Sequence, residues 1–406
     1  MEQRIVPPAS ALLDAARAIL PDVVDVRRRL HRIPETGLEL PLTQAVVVDE
    51  LRALGLDPHL GESVSSVAAT IDGASAGRTI LLRADIDALP LAEDTGLPFS
   101  SEHQDRMHAC GHDAHVAMLI GAARLLLERR STWSGRVVLM FQPGEEGFHG
   151  ARHMLDEGLL DEFGKERPSA AFALHLSTMW RSGTINLRPG PMLAAADTFR
   201  ITVRGRGGHA SAPHKALDPV TVTAEIVLAI QTMVTRRVDA FDPAVVTVGQ
   251  IHGGTTPNII PEAVSIEGTL RTISEDNRIA LKKSIGQVAA GIAAAHGATV
   301  HVEIEAGYPV TVNDPSVTRL VLAAARDVVD EGDIEEVATP LMTADDFSYI
   351  LNEVPGAFAF LGARPAAEDP ATAPMMHSNR VVFDEDAMVV GVATHVAVTL
   401  RYLAPG

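Results

Sequence analysis

The chain has a single cysteine in 406 residues, Cys110, which excludes an internal disulfide framework and predicts a reducing compartment, the cytoplasm. Positive charge is scarce. With 34 Lys plus Arg against 52 Asp plus Glu, the formal charge of −18 excludes sequence-independent attraction to nucleic acid or to an anionic bilayer. Long apolar runs are missing too: every apolar helix candidate is broken by charge before membrane-spanning length, and Met1 to Ser10 holds no basic segment followed by an apolar core. Neither export nor membrane insertion is expected. What remains is a chain that is 46% hydrophobic and longer than single cores usually grow, so two domains are expected.

From Thr43 to Leu54 apolar residues recur at helical spacing, with Val46, Val47, Leu51 and Leu54 on one side and Gly55 as a stop. Val67 to Ile71 and Thr79 to Ile86 are aliphatic runs parted by a Gly-rich turn, which predicts a hairpin or neighbouring strands. A helix over Asp113 to Arg130, a strand over Val137 to Phe141, a short helix and a strand over Ala170 to Leu176 follow. Such alternation predicts an α/β domain with a mixed, largely parallel sheet. Around Asp197 the texture changes. Strand Thr198 to Val203, helix Asp218 to Val234, strands Ala244 to Ile251 and Ala263 to Thr272, helix Ser274 to His296 and strand Thr299 to Ile304 give the β-α-β-β-α-β order of a ferredoxin-like unit. After Gly307 the α/β texture resumes, with helix Ser316 to Val329, strand Ala357 to Leu361 and helix Glu385 to Leu403. The simplest account is an α/β domain over 1–195 and 306–406, interrupted by an inserted α+β domain over 196–305.

The densest chemical cluster is Met107-His108-Ala109-Cys110-Gly111-His112-Asp113-Ala114-His115, opening into a helix. A thiolate and an imidazole two residues apart on an irregular turn can face one metal ion. A buried inert cysteine is the alternative, and three histidines around the only cysteine favour the metal. A second cluster, Phe141-Gln142-Pro143-Gly144-Glu145-Glu146-Gly147, follows an apolar strand. One of two adjacent carboxylates can bind metal while the other takes a proton from water; a solvated acidic turn is the alternative. Asp85, Asp87 and His175 also sit where strands end, the side on which open α/β sheets bind ligands. His377 lies in a loop before the last helix.

The strings LRADIDALP, HACGHDAH, QPGEEG, ALHL, GRGGHASAP, NIIP and MMHS, in this order, resemble the M20 metallopeptidase superfamily. More narrowly, they resemble its amidohydrolase branch, which holds hippurate hydrolases, N-acyl-amino-acid amidohydrolases and auxin-conjugate hydrolases. The resemblance implies a two-metal site (zinc, manganese, nickel or cobalt) on Cys110, His112, Glu146, His175 and His377, with Cys110 bridging. It implies Glu145 as general base, and Asp87 then fits a carboxylate that orients a ligand; Asp85 receives no role. It further implies that the domain over 1–195 and 306–406 is catalytic, that 196–305 serves as lid and dimerisation domain, and that His209 stabilises the oxyanion. Asn258 and Arg271 resemble positions contacting the substrate's carbonyl and carboxylate, with a turn residue and a solvated strand residue as the alternatives. The expected substrate is a small N-acyl amino acid and the expected assembly a homodimer, with no nucleic-acid or membrane partner. One departure stands out: the family's Gly-x-Glu-Asp-Phe-Ser is here Thr343-Ala344-Asp345-Asp346-Phe347-Ser348, a change that bears on substrate preference.

Two rival motifs fail on context. Gly73-Ala74-Ser75-Ala76-Gly77 matches a nucleophile elbow, which requires a helix after the turn where a strand is predicted. Gly205-Arg206-Gly207-Gly208-His209-Ala210 matches a loose dinucleotide fingerprint, yet no acid ends the next strand, Ala244 to Ile251. A dipeptidase or aminoacylase of the same superfamily, or a non-catalytic metal-dependent binding homologue, is the alternative to the amidohydrolase.

Overall fold

The computed structural model describes residues 9–161 and 166–404. Residues 1–8, part of the segment on which the export expectation rests, lie outside the described residues. The chain forms two compact units, one of residues 1–192, 312–339 and 346–406, the other of residues 193–311 and 340–345.

The first unit is built on an eight-stranded mixed sheet with the spatial order His59–Leu60, Val67–Asp72, Arg136–Gln142, Thr79–Asp85, Ala170–Arg181, Gly356–Arg364, Ile185–Leu187, Ile334–Glu336. The central joints, from Arg136–Gln142 through Thr79–Asp85 and Ala170–Arg181 to Gly356–Arg364, are parallel. These strands are buried along nearly their whole length, as both-face coverage demands. Val67–Asp72 and Thr79–Asp85 are not neighbours, contrary to the hairpin expectation. Arg136–Gln142 lies between them, antiparallel to the first and parallel to the second. The Gly73–Gly77 connection instead bonds to the far end of that strand, Gly73 N–H to Gly135 O at 2.9 Å and Gly135 N–H to Ser75 O at 2.8 Å. No helix follows it, so no nucleophile elbow exists there.

A helix that composition alone did not suggest, Ala9–Arg32, runs through Pro21 and buries Leu12, Ala16, Ile19, Val23, Val26 and Leu30 at helical spacing. It packs on His112–Glu128 and Ala387–Tyr402. The helix His112–Glu128 is apolar almost all round and buried accordingly.

The second unit carries four antiparallel strands in the order Ala244–Gly253, Ala263–Thr272, Ala195–Arg204, Thr299–Glu305. Phe199, Ile201, Val203, Ile266 and Leu270 point from it into a core closed by Pro219–Arg237 and Glu275–Ala295. Asp218 and Ser274 cap these helices by accepting from Val220 N and Asn277 N. The Gly205–Ala210 loop runs into a two-residue strand, Gly208–His209, rather than into a helix N-terminus, so it cradles no dinucleotide.

Asp197 locks this unit. Its carboxylate is buried and accepts from Arg278 Nη2 at 2.7 Å, Arg278 Nε at 2.8 Å and Gly307 N at 3.0 Å, with Lys282 Nζ 2.8 Å away. Burial alone would raise its pKa, but the bonds from Arg278 and Lys282 hold it below the ordinary 3.8. A depressed carboxyl stabilises the fold above its ordinary pKa, and the contribution fades as pH falls through the lower folded value. Asp197→Asn is therefore expected to cost roughly 1–3 kcal/mol at pH 7, since it removes the charged acceptor from Arg278, which keeps only Glu275 and the Gly307 carbonyl. The variant should also lose less stability than wild type on going below about pH 4 in urea unfolding. An Asp197→Asn stability equal to wild type at pH 7 contradicts this.

Candidate metal centre

The candidate residues of the first unit gather where its sheet splits. Thr79–Asp85 and Ala170–Arg181 pair only from Ile80 opposite Ala170 to Arg83 opposite Ala173. Thr79–Asp85 stays with its other neighbour as far as Asp85 opposite Gln142, and Ile86 N–H continues to Gln142 O at 2.8 Å. A crevice therefore opens at the carboxyl ends of adjacent parallel strands, where α/β sheets bind their ligands.

Cys110 and His112 enter this crevice from the turn before His112–Glu128. Gly111 makes the turn at φ 84°, where a Cβ would be strained and would press on Leu176 and Phe383 at 3.2–3.3 Å. Glu145 and Glu146 come from the turn after Arg136–Gln142. That turn closes on itself so tightly that a Cβ at Gly150 would lie 1.5 Å from Pro143 O. His175 sits on Ala170–Arg181, and His377 on a loop whose N–H donates to Ala109 O at 3.0 Å. His377 also holds a left-handed φ of 68°, a conformation that non-glycine residues adopt at a cost and that clusters at functional sites.

Donor atoms of Cys110, His112 and Glu146 lie within 4.8 Å of one another. Cys110 Sγ is 3.5 Å from His175 Nε2, and His377 Nε2 is 3.2 Å from Glu146 Oε1. All five predicted donors are thus linked through contacts with Cys110 or Glu146. Glu145 is buried beside them, with Oε2 4.0 Å from His112 Nε2. Asp87 holds both glutamates from behind, accepting Glu145 N–H at 3.1 Å and Glu146 N–H at 3.0 Å, while His112 Nδ1 donates to its carbonyl at 2.8 Å. That last bond leaves His112 Nε2 as the outward atom, and it is buried with no hydrogen-bond partner. A buried ring nitrogen left open in a nest of thiol and carboxylates fits a cation.

The electrostatics agree. Burial pushes the Cys110 thiol well above its usual range, with Glu146, Glu145 and Asp85 adding to the effect. Burial opposes charge on His112, yet Asp85 and Asp87 raise it to about 10. Burial would also raise Glu146, but His377 and His112 keep it below the ordinary value. Without a cation the centre therefore holds protons on sulfur and on His112, and a cation would displace them.

Asp85, a strand-end candidate without a role in the sequence, gains one here, and Arg83, Asp113 and Asp346 join it. Asp85 is a hub: it accepts from Arg83 Nη1 at 2.6 Å and from His115 Nδ1 at 2.5 Å and lies 3.5 Å from His112 Nε2. Arg83 also donates to Gln142 and to Asp346, and Asp346 accepts from Ala151 N–H at 2.9 Å. Asp113 takes Arg27 Nε at 3.1 Å and His31 Nδ1 at 2.8 Å, anchoring the metal-side helix to Ala9–Arg32. For Arg83 the legible signal was charge within an apolar run, Thr79 to Ile86.

In the second unit, His209 is exposed opposite Ile259, and its Nδ1 accepts from Ser211 N at 3.1 Å. Asn258 is exposed in the adjoining turn, its carbonyl accepting Ala210 N–H at 3.0 Å. Arg271 lies half-buried on Ala263–Thr272, and its guanidinium makes no hydrogen bond or ion pair among the described residues. Asp345 is buried in the same unit, its carbonyl taking Thr311 Oγ1 at 3.4 Å. No described helix is long and apolar enough to cross a membrane.

The profile of Peptidase family M20/M25/M40 matches residues 81–401. The chain is 36% identical over 384 residues to thermostable carboxypeptidase 1 of Saccharolobus solfataricus, covering 94% of this chain and 95% of that protein. It is 39% identical over 341 residues to N-acetyl-L-cysteine deacetylase of Bacillus subtilis, covering 84% of this chain and 80% of that one. Among solved structures, the YXEP protein of Bacillus subtilis, a dinuclear metal binding peptidase from the M20 family, is similar with a TM-score of 0.82 at 31% identity, covering 95% and 99% of the two chains.

A raised thiol pKa has a direct consequence. In chelator-treated protein at pH 8, alkylation of Cys110 by iodoacetamide, followed by mass spectrometry, should run slower than for free cysteine, because the side chain is buried and its thiol holds the proton more tightly. A rate equal to that of the free thiol contradicts the electrostatic account.

Proposed function

The chain belongs to Peptidase family M20/M25/M40, and from that premise we propose that it is a two-metal amidohydrolase cleaving the amide bond of small N-acyl amino acids. The observation that carries this reading is the Glu145-Glu146 turn. One carboxylate sits within the donor cluster of Cys110 and His112, the other is buried 4.0 Å from His112, and a single residue, Asp87, holds both backbones. The resemblance of the chain to a deacetylase of N-acetyl-L-cysteine supports the substrate class.

Two divalent cations, of zinc, manganese, nickel or cobalt, held by Cys110, His112, Glu146, His175 and His377, would supply Lewis acidity toward the amide carbonyl and an acidified water. Glu145 accepts the proton of the attacking water and delivers it to the departing nitrogen. Asp87 fixes the Glu145 backbone, and the carboxylate is buried 4.0 Å from His112 Nε2. His377, being half-exposed on a loop, is the donor most open to solvent. In the same reading His209 stabilises the oxyanion, Asn258 takes the substrate carbonyl and Arg271 its carboxylate. An unpaired, half-buried guanidinium suits a planar anion. Residues 196–305 act as lid and dimerisation domain, the protein works as a homodimer, and it resides in the cytoplasm.

A peptidase reading draws on the similarity to a carboxypeptidase. A parallel hydrolysis screen separates the two. N-acetyl and N-benzoyl amino acids should be turned over with kcat/KM at least roughly tenfold above dipeptides, a difference of about 1.4 kcal/mol in transition-state binding. The reverse order would establish the peptidase. Within either reading, Glu145→Gln should lower kcat by about 10²–10⁴-fold with metal content unchanged. Wild-type turnover by that variant at full metal content would remove Glu145 from the chemistry.

A further inference from the structure

His115 stands one helical turn beyond His112, is 2% exposed, and has no role in the reaction as described. Its donor atom belongs with those of Asp85, His112 and His175 to a group within 4.8 Å, so position alone would make it a further metal ligand. Its hydrogen bonds say otherwise. Leu176 N–H lies 2.8 Å from His115 Nε2, and an amide can only donate, so Nε2 accepts and carries no proton. The proton of the neutral ring therefore sits on Nδ1, which faces Asp85 Oδ1 at 2.5 Å. Both ring nitrogens are committed.

Leu176 is the residue next to His175, and its other polar group is committed as well. His175 Nδ1 is 2.6 Å from Leu176 O, and a carbonyl can only accept, so His175 carries its proton on Nδ1 and turns the lone pair of Nε2 toward Cys110 Sγ at 3.5 Å. Leu176 also lies beyond Arg83 opposite Ala173, the last pair of the ladder with Thr79–Asp85. Its N–H has no strand partner on that side, and His115 replaces the missing strand. Asp85 in turn is fixed by Arg83.

We propose that His115 is a positioning residue of the metal centre: by accepting Leu176 N–H while anchored to Asp85, it fixes the backbone that sets the tautomer and aim of His175. The proposal rests on the two-metal reading above. Partners that orient a ligating histidine are typically worth about 10–100-fold in metal affinity.

Titration of chelator-treated protein with Co(II), read by visible absorption and by equilibrium dialysis, tests it. His115→Ala should still bind two equivalents, with the weaker site loosened about 10–100-fold. His115→Gln places an amide oxygen near the position of Nε2, so it should restore affinity to within about threefold of wild type. His115→Asn, which keeps only the Asp85 side, should not restore it. Wild-type affinity in His115→Ala overturns the proposal, and so does loss of a whole equivalent in both His115→Ala and His115→Gln, which would make His115 a ligand. If His115→Ala lacks the wild-type far-UV spectrum, His115→Gln against His115→Asn decides: tighter binding by Gln is expected, and equal or weaker binding overturns the proposal. Failure of wild type to bind Co(II) overturns the metal reading and this proposal with it, whereas wild-type binding with unaffected variants overturns this proposal alone.

Discussion

Everything around the crevice answers to one constraint, the concentration of acidic groups in a place with little water. Asp85 and Asp87 are fully buried, Glu145 nearly so, and Cys110 and Glu146 lie against them. Buried carboxylates persist only where hydrogen bonds or opposite charge offset their desolvation. The chain supplies that compensation for some of them. Arg83 and His115 satisfy Asp85, and the backbone of the Glu145-Glu146 turn satisfies Asp87. For the group formed by Cys110, His112 and Glu146 it supplies none that is complete: the thiol is held protonated and His112 Nε2 is left without a bond.

The fold serves this arrangement by splitting rather than closing its sheet. Two parallel strands part after Arg83 and Ala173, and His115 fills the gap from a helix that begins at His112. That helix cannot drift. Arg27 and His31 of Ala9–Arg32 grip Asp113 next to His112, and burial of nearly every residue to Leu126 fixes the rest. The Asp346 carboxylate draws Gln142, Arg83 and the Ala151 backbone together beneath the glutamate turn. Rigid backing of this kind lets a few donors hold their directions before any ion arrives.

Much of this was legible before any coordinates. Apolar periodicity marked the longer strands and most helices within a few residues, from Ala263–Thr272 to Ala387–Tyr402, because each buries one face or both, whereas the short strands His59–Leu60, Ile185–Leu187 and Ile334–Glu336 left no such pattern. The strings around Cys110, Glu145 and His377 singled out segments that the fold brings into contact. What stayed hidden depends on tertiary pairing. Strand order hid Arg136–Gln142 between two runs that looked adjacent, since a parallel partner leaves no turn signal. His115 could not be read because its partner is a backbone N–H 61 positions away. The helix Ala9–Arg32 went unnoticed with Pro21 in its interior, where proline ordinarily argues for an end.

The central claim is that the leftover donors are built for two cations sharing Cys110. Diffraction from crystals grown with Co(II), recorded on both sides of the cobalt absorption edge, tests it most directly. The account predicts two anomalous peaks about 3.5–4 Å apart, both within bonding distance of Cys110 Sγ, with His112, Glu146, His175 and His377 completing their coordination and His115 bound to neither. A single peak, or two peaks of which one lies away from Cys110, would contradict it.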